Sequence, residues 1–140
     1  MSNKKILIVE DDADLRLGCH LLLKAHGYET FLAADGLSAI SEALKHRPDL
    51  IVLDLGLPAG DGFVVLERLR SSMHLAVTPV IVVSARNVHF NEEQALKAGA
   101  KAYVQKPWND NELLAIISEH LGEPLLPVSN ARYTGDSQQG

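Results

Sequence analysis

The sequence predicts an α/β domain in which five strands and five helices alternate around a parallel sheet. Its five short apolar runs, of which the second is weaker, are Ile6–Val9, Glu29–Ala34, Leu50–Leu53, Val80–Val83 and Ala102–Gln105. Continuous, β-branched runs of this length are typical of central strands that are buried on both faces of a parallel sheet. Each run is followed by a segment with helical spacing. The order is therefore (βα) five times, as in a doubly wound sheet with right-handed crossovers.

The helices are indicated by apolar stripes and by the residues that begin and end them. The first helix follows Asp12 and is predicted to stop at Gly27. Its apolar stripe, which is expected to face the core, is Leu15, Cys19, Leu22 and Leu23 and includes the single cysteine. The last helix opens at Asn109, which forms a capping-box pattern with Glu112. The other predicted helices and the last one span Ser38–Lys45, Phe63–Arg70, Phe90–Ala98 and Asn109–Leu121.

Length and composition set limits on the function. The chain has 140 residues, enough for one domain with a core, and its net charge of −5 argues against a nucleic-acid-binding surface. One cysteine permits no internal disulfide, and the apolar run near the N-terminus is too short for a signal peptide or a membrane span. We expect a cytoplasmic protein with a domain over residues 1–121. Residues 122–140, with two prolines and no periodicity, are expected to be a flexible tail or the start of an interdomain linker.

Polar residues gather where the predicted strands end. They are Glu10, Asp11, Asp12, Asp54, Ser84 and Lys106. In a doubly wound sheet the ligand crevice lies outside the carboxyl ends of the strands, so these residues share one rim. Adjacent carboxylates repel each other by ~4 kcal/mol at 4 Å and an effective dielectric of 20, and a hard cation such as Mg²⁺ offsets that repulsion.

This set of residues also indicates a reaction. An aspartate beside a magnesium ion, a lysine and a hydroxyl can attack phosphorus and form an aspartyl phosphate. The cation and Lys106 would neutralise the phosphoryl oxygens, and Ser84 would donate a hydrogen bond to one of them.

Four motifs together resemble the receiver domain of two-component response regulators, a CheY-like superfamily. They are ILIVEDD at the first strand, DLIVLDLGLPAGDG around Asp54, PVIVVSA ending at Ser84-Ala85, and AGAKAYVQKPW around Lys106-Pro107. They follow the family's order at about its spacing, and the resemblance covers residues 4 to 121. It implies a flavodoxin-like sheet with strand order 2-1-3-4-5.

The resemblance implies a role for each matched residue at the phosphorylation site. Asp54 would be the phosphoacceptor, Asp11 would bind Mg²⁺ directly, and Glu10 would bind it directly or through water. Asp54 itself and the backbone carbonyl of Gly56 would complete the metal site. Lys106 would be the family's invariant lysine, and it would be joined to Pro107 by a cis peptide bond.

Further positions match the family's switch and rate-tuning positions. Ser84 fills the Ser/Thr position and Tyr103 the aromatic position that changes rotamer after phosphorylation. Two residues depart from the commonest pattern, since Gly56 offers no side chain near the phosphate and Arg86 offers a long cation. In the family these two positions tune autodephosphorylation.

The implied function is a signalling switch rather than a turnover enzyme. A sensor histidine kinase or a histidine phosphotransfer protein would donate the phosphoryl group. The face of the fourth helix, fifth strand and fifth helix would then change and could support a phosphorylation-linked homodimer. Leu17 and Leu21, four residues apart and off the core stripe, form a candidate docking pair for the donor. We expect no contact of this chain with nucleic acid or membrane.

Other interpretations of the same residues are less favoured. A haloacid-dehalogenase-type hydrolase needs a second aspartate where Gly56 stands, and a flavin or nucleotide site needs a phosphate loop where Glu10 to Asp12 would repel phosphate. A receiver-like module that binds partners without phosphorylation remains the alternative. Of the three acids after the first strand, Asp12 is the one expected to cap the first helix. Trp108 is expected to cover the start of the last helix, and all six histidines are expected at the surface.

Overall fold

A computed structural model describes residues 4–57, 62–85 and 88–123 of the chain, with backbone alone for 88–91. The strands are β1 Lys5–Val9, β2 Glu29–Ala33, β3 Leu50–Asp54, β4 Val80–Ser84 and β5 Ala102–Gln105. The helices are α1 Ala13–Ala25, α2 Gly36–His46, α3 Gly62–Ser71, α4 Val88–Lys97 and α5 Asp110–Leu121. Strands and helices alternate as predicted.

The sheet is parallel throughout, and its strand order is β2-β1-β3-β4-β5. The order reverses beside β1, because β1 lies between β2 and β3, so the crevice at the carboxyl ends of β1 and β3 is the topological switch point. The predicted fold class and the strand order implied by the family resemblance are both confirmed.

Alternate residues of each central strand face opposite sides of the sheet. In β1, Leu7 and Val9 face one core and Ile6 and Ile8 face the other. The first core is covered by buried residues of α2, α3 and α4, and the second by buried residues of α1 and α5. This two-sided burial explains why the central strands have continuous apolar sequences instead of alternating ones.

Local signals fix the ends of the helices. Asp12, Asp35 and Asn109 are N-caps, and each side chain accepts hydrogen bonds from backbone N–H groups in the first helical turn. Asp12 and Asn109 were predicted. Helix α2 begins before the predicted Ser38 because the Asp35 carboxylate accepts from the Ser38 N–H at 2.8 Å and thereby starts the helix earlier.

Gly62 brings α3 against the segment that follows β3. A Cβ atom at this position would lie 2.3 Å from the Cα atom of Leu55, which is closer than any side chain tolerates. Only glycine allows this approach, so α3 can start beside the residues that follow Asp54. No helix in the described ranges is both long enough and apolar enough to cross a bilayer.

Two predictions of burial or exposure are wrong. His26 is buried, with 4% exposure, because it caps the end of α1 and its Nδ1 lies 3.1 Å from the Leu22 carbonyl oxygen. Leu15, placed on the core stripe of α1, is 37% exposed because it lies in the first turn, at the open edge of the crevice. Cys19 is buried as predicted, and burial raises the pKa of its thiol to about 12.

Candidate phosphorylation site

The strands of the sheet place four polar side chains at the rim formed by their carboxyl ends. Asp54 and Ser84 are the last residues of β3 and β4, while Glu10 and Lys106 directly follow β1 and β5. Backbone bonds continue beyond the strands, since Glu10 N–H donates to the Ala33 carbonyl at 3.0 Å and Lys106 N–H donates to that of Ser84 at 2.9 Å. The backbone hydrogen bonding of the sheet therefore extends to Glu10 and Lys106.

Lys106 joins the two buried carboxylates of the rim. Its Nζ lies 2.7 Å from Glu10 Oε1 and 3.4 Å from Asp54 Oδ1. Glu10 and Asp54 are each only 3% exposed, so an unpaired charge on either would be costly. The ammonium group of Lys106 offsets that cost and holds both carboxylates together.

The pKa values of Glu10 and Lys106 are both raised above their usual values. Burial raises the pKa of Glu10, and the nearby charge of Asp54 adds to that rise, although hydrogen bonds from Lys106 and Asp12 counter part of it. Burial alone would lower the pKa of Lys106, but its hydrogen bond to Glu10 and the charges of Asp54 and Glu10 outweigh burial and raise it. Lys106 thus stays charged.

The loop between β1 and α1 is closed by short-range hydrogen bonds. Asp12 N–H donates to Glu10 Oε2 at 3.1 Å, while the Asp12 carboxylate caps α1. Arg16, in the second turn of α1, donates from one guanidinium nitrogen to the backbone carbonyls of Glu10 at 2.8 Å and Asp11 at 3.4 Å. Sequence reasoning missed Arg16, although its position four residues after the N-cap places it one turn above the loop.

Gly56 lies directly against the Asp54 carboxylate. Its N–H donates to Asp54 Oδ1 at 2.9 Å, and a Cβ atom at this position would stand 3.3 Å from the same oxygen. A side chain here would start in contact with the carboxylate, so glycine leaves space around it. Arg86, the second predicted rate-tuning residue, lies outside the described residues.

Three carboxylates are arranged so that one cation could contact them all. Oxygen atoms of Glu10, Asp11 and Asp54 lie within 4.8 Å of one another, with Asp11 exposed to solvent. A donor set made only of oxygens, open to water on one side, suits Mg²⁺, which keeps several waters in its coordination shell. The residues present therefore fit the predicted ion.

The two predicted switch residues lie on the same face of the sheet. Val82 pairs with Tyr103 and Ser84 pairs with Gln105, so Ser84 and Tyr103 both project toward the face that α4 covers. Ser84 is fully buried. The Tyr103 hydroxyl is also buried, yet it has no hydrogen-bond partner among the described residues. Within the described part of the chain, the Tyr103 hydroxyl is therefore a buried polar group whose hydrogen bonding is not satisfied.

The segment after Lys106 forms the outer wall of the site. The Lys106-Pro107 peptide bond is cis, as the resemblance implied. Trp108 packs partly buried against the core shared by α1 and α5, and its indole N–H donates to Asp110 at 3.1 Å. It covers the start of α5, as predicted.

The candidate docking pair, Leu17 and Leu21 on α1, is exposed to solvent, with exposed fractions of 53% and 56%.

The response regulator receiver domain family matches residues 6–118 of the chain. The chain belongs to this family. The receiver domain is 39% identical over 110 residues to the transcriptional regulatory protein KdpE of Mycobacterium tuberculosis, covering 79% of this chain and 47% of KdpE. It is 36% identical over 121 residues to the polar-differentiation response regulator DivK of Brucella anthropi, covering 86% of this chain and 98% of DivK.

The receiver domain also resembles solved structures. A CheY-like receiver domain protein from Methanospirillum hungatei is 31% identical with a TM-score of 0.80, covering 86% of this chain and 95% of the other. The receiver domain of a Pseudomonas aeruginosa sensor histidine kinase is 30% identical with a TM-score of 0.79, covering 87% and 100%, and that structure has magnesium in its active-site cleft. The receiver domain spans about half the length of KdpE and similar regulators.

Proposed function

We propose that this receiver domain is a phosphorylation-dependent switch that accepts a phosphoryl group on Asp54 from a phosphohistidine donor. One observation carries the proposal: Lys106 holds the buried carboxylates of Glu10 and Asp54 together, within reach of the exposed Asp11. Neither a stable core nor a helix cap requires this arrangement. A nucleophile, a charge-neutralising lysine and a cation site on one rim are what phosphoryl transfer to a carboxylate requires.

We assign the metal site to the carboxylates of Asp11 and Asp54, to Glu10 directly or through water, and to the backbone carbonyl of Gly56. Mg²⁺ bound there would supply charge neutralisation for the phosphoryl oxygens. The protein's own contribution is to keep two of these carboxylates buried and fixed before the donor arrives, so that little reorganisation is needed during the reaction.

In the transfer step, a carboxylate oxygen of Asp54 attacks the phosphorus atom of the donor. The new bond is P–O and the bond that breaks is P–N, whose electron pair stays on the imidazole nitrogen. Asp54 Oδ1 is held by Gly56 N–H and Lys106, and we therefore take Oδ2 as the attacking atom. Lys106 and the Ser84 hydroxyl then stabilise the phosphoryl oxygens.

The output of the switch is a change of the face formed by α4, β5 and α5. We propose that Ser84 moves toward the phosphoryl group and that Tyr103, whose buried hydroxyl has no partner among the described residues, follows it. Moving a two-state equilibrium from 1:99 to 99:1 requires ~5.5 kcal/mol of differential stabilisation. Gly56 and Arg86 would set how long the phosphorylated state lasts.

The wider assignment follows from the same proposal. Residues 1–121 would form the switch and residues 122–140 a tail or linker, in a cytoplasmic protein that does not turn over substrate. Its partner would be a sensor histidine kinase or a histidine phosphotransfer protein, and the α4-β5-α5 face could support a homodimer. We propose no contact of this chain with nucleic acid or membrane.

The first test is phosphorylation by acetyl phosphate, followed by intact mass with and without Mg²⁺. We expect a Mg²⁺-dependent gain of one phosphoryl group in the wild type, none in Asp54→Asn, and a normal gain in Asp49→Asn, a matched change at the opposite end of β3. The decay of the gained mass then measures the lifetime. If the wild type gains no mass and also fails to bind beryllofluoride, the chain is a module that binds partners without phosphorylation.

A further inference from the structure

Arg16 is a half-buried cation that faces an acidic loop, yet it bonds to backbone carbonyls. Its guanidinium donates to the Glu10 carbonyl at 2.8 Å and, more weakly, to the Asp11 carbonyl at 3.4 Å. Within the described ranges no carboxylate forms an ion pair with Arg16. An arginine that only balanced charge would be expected to pair with one of the neighbouring acids.

Its two carbonyl partners belong to the residues whose side chains reach the candidate cation site. Glu10 and Asp11 lie in the short connection between β1 and α1, and their carboxylates meet Asp54 from one side. The Glu10 side chain is held by Lys106 and by Asp12 N–H. The side chain of Asp11 is exposed, and its backbone carbonyl accepts a hydrogen bond from Arg16 at 3.4 Å.

We propose that Arg16 is a positioning residue for the divalent cation site. It ties the backbone of Glu10 and Asp11 to the first turns of α1, so that both carboxylates point toward Asp54 before the cation binds. The inference rests on the proposed function and deepens it. It names Arg16, which is not a ligand of the cation, as a residue that determines the affinity for the cation. Groups that orient metal ligands in this way typically change affinity 10- to 100-fold when they are removed.

Simple electrostatics predicts the opposite effect, and this makes the inference easy to test. A positive charge near the site repels a divalent cation, so removal of Arg16 should strengthen Mg²⁺ binding if charge were its only contribution. If positioning dominates, removal weakens binding. The sign of the change in affinity therefore decides between the two.

The experiment measures the Mg²⁺ dissociation constant of the full chain by titration calorimetry. The variants are Arg16→Gln, Arg16→Lys and the control Lys24→Gln, which removes an exposed cation from the last turn of the same helix. Arginine, lysine and glutamine have similar helix propensities, so α1 itself is little changed. We expect Kd to rise roughly 10-fold or more in Arg16→Gln, to rise less in Arg16→Lys, and to stay unchanged in Lys24→Gln.

A second readout separates positioning from a general loss of stability. Mg²⁺ raises the melting temperature of a chain that binds it in the folded state, by an amount set by its affinity. Arg16→Gln should show a smaller Mg²⁺-induced rise than the wild type. A lower melting temperature with an undiminished Mg²⁺-induced rise would assign Arg16 to stability alone and overturn the inference.

The outcomes also separate this inference from the proposed function. If wild-type Asp54 is phosphorylated with Mg²⁺ while Arg16→Gln binds Mg²⁺ as tightly as the wild type, or more tightly, the positioning role is wrong and the switch stands. If the wild type neither binds Mg²⁺ nor gains a phosphoryl group, both are wrong.

Discussion

The interior of the sheet and the rim at its carboxyl end are equally buried, and they contain opposite chemistry. Ile6, Leu50 and Ile81 are fully buried inside the sheet, and Glu10 and Asp54 at the rim are only 3% exposed. Apolar burial in the interior stabilises the fold directly. At the rim, desolvation of the carboxylates offsets most of what their ion pair with Lys106 contributes.

This difference separates two tasks within the same strands. The interior supplies free energy of folding, while the rim keeps charged groups fixed at a cost that the interior offsets. We therefore expect interior changes to lower stability without altering cation affinity, and rim changes to alter cation affinity with at most a small effect on stability.

Leu66→Ala should give the largest loss of stability. Leu66 is a residue of α3 that is fully buried in the core between the sheet and α2, α3 and α4. Truncation of a leucine in such a place costs about 2–5 kcal/mol. We expect urea unfolding to show this loss while calorimetry gives an unchanged Mg²⁺ Kd for the folded variant. Val64→Ala, on the exposed side of the same helix, is the control and should change little. A large change in Kd for folded Leu66→Ala would show that the two regions are not separate.

The pH dependence of Mg²⁺ binding should show the next effect. Burial raises the pKa of Glu10, and the charge of Asp54 adds to that rise, so the folded chain binds a proton at Glu10 more tightly than the unfolded chain does. The stability that protonated Glu10 contributes is complete below the unfolded-state pKa of Glu10. It is lost as pH rises through the raised, folded-state pKa. A cation needs the carboxylate. Its affinity should therefore fall as pH falls through the same range, by up to about tenfold per pH unit.

Glu10→Gln is the control for this pH dependence. Glutamine keeps the shape of the side chain but does not titrate. The variant should therefore bind Mg²⁺ more weakly at neutral pH, and its Mg²⁺ affinity should lack the pH-dependent step that titration of Glu10 causes. Calorimetric titrations at several pH values measure both. The same step in Glu10→Gln as in the wild type would assign it to another group.

Asp54→Asn should produce a smaller effect on stability, and one of opposite sign to Leu66→Ala. The change removes a buried charge and its repulsion with Glu10, but it also removes an ion pair with Lys106. Without Mg²⁺ we expect the free energy of unfolding to rise by roughly 1 kcal/mol, as is common when a functional site is neutralised. Urea unfolding with and without Mg²⁺ measures this. A loss of several kcal/mol would mean that the rim supports the fold.

Both the buried strands of the interior and the identity of the rim residues could be predicted from the sequence. The reasons differ for the two regions. Apolar runs such as Ile6–Val9 predict strands because burial on both faces leaves no polar positions. The chemistry of the rim could be inferred because the carboxyl ends of parallel strands meet at one edge. The pairing of Lys106 with Glu10 at 2.7 Å could not, because it depends on the rotamers of two long side chains.

The features that sequence reasoning missed depend on contacts between elements. In the sequence, Arg16 looks like an ordinary helical cation, and only the structure shows its hydrogen bond to the Glu10 carbonyl. His26 looks like a surface histidine in a polar stretch, yet the end of α1 buries it. In both cases the side chain contacts a backbone carbonyl oxygen whose position the residue pattern does not determine.

Substitution of the exposed pair on α1 should change stability little and still affect function. Leu17 and Leu21 belong to neither the interior nor the rim, and at 53% and 56% exposure they contribute little to the core. We expect Leu17→Ser/Leu21→Ser to change the free energy of unfolding by only about 0.5 kcal/mol per site, and to leave phosphorylation by acetyl phosphate unchanged. Transfer from a phosphohistidine partner protein should be slower, because apolar contact area is lost from the complex. Transfer rates from the two donors, measured side by side, decide the matter. Equal slowing with both donors would place the effect at the rim instead of a docking surface, because a small-molecule donor needs no protein contact on α1.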